Sequence, residues 1–314
     1  MSRVAEKVGS AVFVGVAVQD TIVLVSRFPL PDDRLVADEI VNAGGGPAAT
    51  AAVAFVRLGG RAYFVGTLGD DQEADTILKG LESEGVDVSG VIRVPGGRAT
   101  RAMVMVDRVR ATRAICVLPG TALHIPEDSI AADLIRKSEW VHADHFGWRP
   151  VHDCLGSQWG SMPRLSVDLG NPAPGFTASG IHLFVPTQQQ LIALYGNLPL
   201  PDLLRAAVAD GAHCVVATAG SAGSWALTAD GTSCHVPAYQ TEIFSTLGAG
   251  DVFHGALLAA IVRKLPLAHC LAYANIAAAL SCRGLDGRSA IPRDEEVQAV
   301  LPALLAKQEM GNGN

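Results

Sequence analysis

Residues Ser245–Leu258 read STLGAGDVFHGALL. Gly248, Ala249 and Gly250 are small residues placed where an extended approach, Tyr239–Phe244, gives way to the apolar run Val252–Ile261, a change that predicts a helix start. Bare backbone N–H groups and the positive end of the helix dipole together form an anion site there, and glycines let a phosphate come against the main chain. Asp251 lies inside that cradle. A carboxylate beside bound phosphate is repelled by it, so its presence needs a chemical reason. The simplest is a general base that takes a proton from an attacking hydroxyl. The competing reading is that Asp251 merely caps the helix.

About two hundred residues earlier, Gly44–Gly60 reads GGGPAATAAVAFVRLGG. Three glycines open it, an alanine-rich helical run follows and a glycine pair closes it, which builds a second bare helix start. Thr50 adds a hydroxyl within the first turns. Close packing of a helix onto a sheet explains the alanines without any ligand, and explains three successive glycines less well.

The frame around these two stretches is a βα alternation. Ala11–Val16 is a continuous apolar run suited to a buried parallel strand, and Asp20 follows it, near where ligands bind in open α/β sheets. It can accept two sugar hydroxyls or merely form a turn. Ala62–Gly66, Glu139–Asp144, Leu165–Asp168, Leu183–Pro186 and His213–Gly220 are further strands, and Asp71–Gly85 and Leu267–Ser281 are helices. The pattern predicts a parallel sheet covered by helices. Residues 21–27 with 35–42, and Arg101–Asp107 with Arg113–Leu118, read as two hairpins joined in one small sheet that stands off the core. After His213–Gly220 come a loop shaped by Thr218, Gly220 and Gly223 and a short hairpin, 224–227 with 233–237. GLDGRSAIP, residues 284–292, closes the site region.

Composition narrows the class. The chain has 314 residues, a net charge of −7 and 49% apolar residues, with no basic run, which argues for small-molecule chemistry and against nucleic acid. Apolar stretches are too short to span a bilayer, and MSRVAEKVGS lacks the apolar core of a signal peptide, so a cytoplasmic protein is expected. The six cysteines show no paired spacing, which predicts buried thiols. His142, His145 and His152 form no strong metal pattern, and no metal ligands are assigned. No linker or repeat divides the chain, which is read as one unit over 1–314.

LGAGDVFHGAL and GGGPAATAAVAFVRLGG resemble the C-terminal and N-terminal signatures of the ribokinase (PfkB) family of ATP-dependent sugar kinases, at the family's spacing, and the similarity runs from about residue 10 to about residue 300. Within the family, GGGPAATAAVA and GDVFHGAL look most like members that phosphorylate sulfofructose. The resemblance implies a three-layer α/β/α sandwich with a small β-sheet lid, the lid segments being about 18–44 and 96–119. It implies Asp251 as base and Gly248, Ala249 and Gly250 as anion hole. It also implies that Asp20, Gly45, Gly46 and Thr50 touch the sugar, and that Thr218, Gly220, Gly223 and Asn275 line an ATP site used with Mg2+. Arg101 and Arg113 are lid candidates for the sugar's tail. Three positions depart from the common pattern. Thr50 stands where many members have Asn, which argues against ribose. TQQQ at 187–190 replaces NxxE, leaving Mg2+ to the nucleotide and water. Ser245 replaces an Asp, which removes a charge from a monovalent-cation site.

The expected protein is a kinase that moves the γ-phosphate of ATP to a ketose or acidic sugar derivative, fructose-, sulfofructose- or ketodeoxygluconate-like. It is expected as a homodimer joined through the lid, with Val23, Val25, Val104 and Val106 supplying the apolar face. A nucleoside kinase of the same family and a non-catalytic sugar-binding protein are the alternatives.

Overall fold

The computed structural model describes residues 9–110, 112–170 and 175–311; the amino-terminal stretch 1–8 lies outside them. Its centre is an eight-stranded sheet. Six parallel strands, β1 (Ser10–Val14), β4 (Arg61–Val65), β9 (Trp140–Ala143), β10 (Arg164–Val167), β11 (Leu183–Phe184) and β12 (Cys214–Thr218), are followed by an antiparallel hairpin, β13 (Ser224–Thr228) and β14 (Ser233–Val236). The spatial order is β14-β13-β12-β11-β10-β9-β1-β4. The chain winds one way from β1 to β4 and the other way from β9 onward, so the order reverses between β1 and β9, where α/β sheets open a ligand crevice.

Both faces are covered, because neighbouring residues on a strand point to opposite sides. Ala11 and Phe13 join one core with α1 (Pro47–Arg57), α2 (Gln72–Ser83), α7 (Ala249–Val262), α8 (Leu267–Ser281) and α9 (Asp294–Gly311). Val12 and Val14 join the other with α3 (Ile130–Lys137), α4 (Trp148–Leu155), α5 (Gln188–Tyr195) and α6 (Leu200–Ala209). The three-layer sandwich expected from the sequence is therefore present.

The expected small sheet is present too. It has the order β3-β2-β7-β8, with β2 (Val18–Val25), β3 (Glu39–Gly45), β7 (Thr100–Asp107) and β8 (Thr112–Leu118). Two hairpins meet along a parallel β2–β7 seam with Asp20 opposite Ala102. Ile22, Leu24, Val104 and Val106 form its own buried cluster. A two-stranded sheet, β5 (Thr67–Leu68) with β6 (Ile92–Arg93), sits beyond β4.

Two local expectations differ from what is observed. Val25, Val104 and Val106 are already buried and cannot supply a face for a partner. All six cysteines carry free thiols, but Cys116 is exposed on β8 and only Cys270 and Cys282 are fully buried. Among the described residues no helix is long and apolar enough to cross a membrane.

Candidate active site

Helices α1 and α7 pack so closely that a Cβ on Gly255 of α7 would strike the carbonyl of Ala51 and the methyl of Ala54 on α1. An alanine buries little, about 0.8 kcal/mol per methylene-sized group. What the alanine-rich sequence of α1 gains is this approach, which sets the two glycine-flanked helix starts beside each other at the carboxyl edge of the sheet. The packing explanation of the small residues is thus met.

At the start of α7, Gly248 is the N-cap with φ +73°, a left-handed conformation that a side chain resists. No side chain caps the helix. The Ala249 amide donates to the Thr246 carbonyl at 3.3 Å, and a Cβ on Gly250 would meet nothing within 4 Å, so the helix start is open beside Gly250. Asp251 sits on the first turn, partly buried, and among the described residues no hydrogen bond reaches its carboxylate, which excludes the capping role. Burial, the nearby Asp168 and then Asp144 push its pKa up to about 7, against the pull of His254 and Arg113.

The sugar side of the crevice is built from α1, β2, β3 and the loop 284–292. Asp20 is buried on β2. A Cβ on Gly45 would collide with its carboxylate, and one on Gly46 with the Val16 carbonyl, so these glycines make room for Asp20 and for the turn into α1. Burial raises the Asp20 pKa to about 6, opposed by Arg288.

Arg288 was not singled out in the sequence, and it organises this wall. It is 8% exposed. Its Nη2 donates to the Gly45 carbonyl at 2.7 Å and its Nε to Thr50 Oγ1 at 3.2 Å. Nη1 lies over Gly44, where a Cβ would strike it. Burial lowers its pKa to about 10, with Asp20 the largest opposing influence. Gly287, next to it, packs against Gly248, so one loop ties the Gly44–Gly46 turn to the α7 start. The GLDGR pattern announces a turn; nothing in it announces a guanidinium whose partners lie more than two hundred residues away.

The switch point is locked by Asp144, just beyond β9. Its Oδ2 accepts from the Val16 and Ala48 amides, at 2.9 and 3.3 Å, and its Oδ1 from Phe146 and Gly147, each at 2.9 Å. Burial raises its pKa, partly countered by His145 and these amides. Asp168, at the equivalent place after β10, pairs with His254 of α7 at 3.2 Å.

The remaining sequence candidates fall at separate places. Thr218 ends β12, and Gly220 and Gly223 shape the turn after it, with open space at Gly220. Asn275 donates its amide to the Val236 and Pro237 carbonyls at 3.0 and 3.2 Å, so it braces the end of β14. Arg101 lies on the small sheet with its guanidinium on Glu73 at 2.8 Å, half exposed. Arg113 reaches across from β8 to Thr246 Oγ1 at 2.8 Å, which brings a positive charge to the α7 start. Thr187 and Gln190 form a reciprocal capping box on α5, so the stretch that replaces NxxE serves its own helix. Among the described residues no cluster of three His, Cys, Asp or Glu side chains could hold a metal ion.

A helix start open to phosphate, an uncapped carboxylate on its first turn and a polar wall across from it define a phosphotransferase that acts on an alcohol group. The sequence profile of pfkB family carbohydrate kinases matches residues 8–294, and the chain belongs to that family. It is 27% identical over 303 residues to a deoxyribokinase of Salmonella typhimurium, covering 92% of this chain and 97% of that protein. A crystal structure from Agrobacterium tumefaciens, taken to be a ribokinase, superposes with a TM-score of 0.84 at 28% identity, over 96% of this chain and 99% of that one. The fold is shared with an Arabidopsis thaliana ribokinase complexed with ribose and ATP, TM-score 0.80, 22% identity, 94% and 99% of the two chains.

Proposed function

We propose that this carbohydrate kinase transfers the γ-phosphoryl group of ATP to a hydroxyl of a ketose or an acidic sugar derivative, with Asp251 as general base. The observation that carries the reading is the Asp251 carboxylate: without a hydrogen bond among the described residues, beside open space at Gly250, with a pKa pushed up to about 7. Such a group is deprotonated often enough to act and basic enough to take the proton. In the reaction the sugar oxygen attacks the γ-phosphorus, its proton passes to Asp251, and the bond to the β-phosphate oxygen breaks to leave ADP. The amides at the α7 start face the charge that builds on the phosphoryl oxygens. ATP as donor is in keeping with the complexed Arabidopsis relative. The turn after Thr218 has open room for the nucleotide at Gly220, while Gly223 packs against the Val236 carbonyl. Mg2+ bound with the nucleotide would neutralise charge on its phosphates, and Gln190, engaged in its capping box, would not hold it.

Asp20, Gly45, Gly46 and Thr50 hold the sugar. Arg288 donates from two of its nitrogens to Gly45 and Thr50, which fixes the Thr50 hydroxyl and the turn into α1 on the sugar side of the crevice. The small sheet acts as a lid, excluding water from the transfer. Initial rates with MgATP across fructose, sulfofructose, ketodeoxygluconate, ribose, deoxyribose and a nucleoside test the assignment. A kcat/KM highest for ribose or for the nucleoside overturns the substrate class. For the preferred sugar, Asp251→Asn lowers kcat by about 10²–10⁴ while ATP binding, read by calorimetry, is kept; a variant retaining more than about a tenth of kcat overturns the base.

A further inference from the structure

One turn below Asp251, α7 buries His254 to 6% exposure. Its Nε2 is 3.2 Å from Asp168 Oδ2. The ring of His142, on β9, lies 5.2 Å from its ring, and His142 Nδ1 is 3.0 Å from Ser166 Oγ. Neither His254 Nδ1 nor His142 Nε2 has a hydrogen-bond partner among the described residues. Catalysis by Asp251 does not use these groups directly, yet they fill the buried corner beneath it.

The charges there do not balance without a cation. Asp251 is faced by Asp168 just after β10, Asp144 just after β9, Arg113 from β8 and His254 from its own helix, and it influences Arg288 in the 284–292 loop. His254 is faced by Asp168 and Asp251, with His142 beside it. His145 acts on Asp144 and Asp168. Three carboxylates in one desolvated corner cannot all ionise unless positive charge is set among them. Burial alone would make His254 neutral, but Asp168 and Asp251 outweigh it and raise its pKa. Burial and the charge of His254 press His142 down to about 3, so His142 is neutral. Burial raises the Asp168 pKa less than His254 and its neighbours lower it, so the pair is ionic.

We propose that His254, held cationic by Asp168, is a positioning residue for phosphoryl transfer: it fixes the charge beside Asp251 and thereby sets the pH at which the base accepts the sugar proton. The proposal rests on the reading of Asp251 as base. It also gives the corner a definite chemistry, one imidazolium held by one carboxylate under a second carboxylate that stays available.

The test is kcat against pH for the wild type, His254→Asn and Asp168→Asn/His254→Asn with MgATP and the preferred sugar. Asn keeps a donor for Asp168 and removes the charge. The acid limb of His254→Asn moves up by about one pH unit, so that kcat at pH about 6 falls roughly tenfold while alkaline kcat and sugar KM stay within about twofold. The double variant, which loses both charges together, returns to within about half a unit of the wild type. A fall in kcat that is uniform across pH, with the limb unmoved, means a merely structural His254 and overturns the proposal. Imidazole NMR of the wild type gives a readout without turnover. The signal that moves in Asp251→Asn and vanishes in His254→Asn or His254→Gln titrates above the ordinary histidine range, and an ordinary titration near about 6.5 overturns the proposal. Failure of Asp251 as base shows separately, as turnover retained by Asp251→Asn, and leaves the His254 titration readable.

Discussion

Asp251 is costly to the fold in the form that chemistry needs. Its pKa is raised above that of an unfolded aspartate, to about 7, so the native state holds a proton that the unfolded chain has already released. Stability contributed by the neutral form is full below pH about 4 and is lost as pH rises toward 7. Asp251→Asn, inactive, should therefore melt several degrees higher than the wild type at pH 8 and at the same temperature at pH 4; equal melting temperatures at both pH values would remove the argument for a destabilised base. The wild-type kcat should fall about tenfold per unit below pH about 7, since only the ionised carboxylate accepts the proton. Ser245 carries a second residue-scale expectation. It is buried, its hydroxyl accepts from the Leu247 amide at 3.2 Å, and it offers no charge where the family resemblance has an aspartate. Charge count tunes hard-cation sites, so potassium and a large inert cation, at matched ionic strength and saturating MgATP, should give rates within about threefold of each other, and activation of about tenfold or more overturns this.

At the scale of elements, the two signature helices depend on each other through Gly255. Even a methyl there meets the Ala51 carbonyl and the Ala54 methyl. Overpacking costs about 1–3 kcal/mol, while exchanging Gly for Ala inside a helix returns about 1 kcal/mol. Gly255→Ala should thus lower stability by up to about 2 kcal/mol in urea unfolding and lower kcat as the α7 start shifts from the α1 start; a stabilised variant would show the helices free to separate. Both helices were legible in the sequence because their signals are local: small residues and glycines, then a continuous apolar or alanine-rich run. The strands were legible for the same reason, and most ends agree within two residues. What stayed hidden was non-local. Arg288, Asp144 and His254 owe their roles to partners on other elements, and no spacing along the chain reports them. The Thr187–Gln190 box is a different case. Its T-x-x-Q pattern is itself a helix-start signal, masked by reading the stretch only as a departure from NxxE.

At the scale of the whole molecule, the small sheet has one face turned to the body and one turned away. Val104, Val106, Ile22 and Leu24 fill the inward face, so two of the four valines expected in a partner surface, Val104 and Val106, are spent on the sheet's own packing, while Val23 lies on the outward side. The outward face carries Ile40 at 64% and Met103 at 54% exposure, with Leu118 at 41%. Register places them as one patch. Ile40 stands opposite Val23 on β2, Val23 opposite Met105 on β7, and Met103 opposite Cys116 on β8. A four-stranded sheet with apolar side chains on both faces is stable in water only when both are covered. A second copy presenting the same patch is the simplest cover, because a two-fold axis makes one surface its own complement. The chain should therefore be a dimer by light scattering at micromolar concentration. Met103→Glu with Ile40→Glu should convert it to a monomer of unchanged far-UV dichroism, since both side chains point away from the core. Activity should fall with the dimer if the second copy also steadies the lid over the crevice. A wild-type monomer with full activity at the same concentration would leave the patch without that partner, and the lid would then have to close using only the contacts of its own chain, chiefly Arg113 on Thr246.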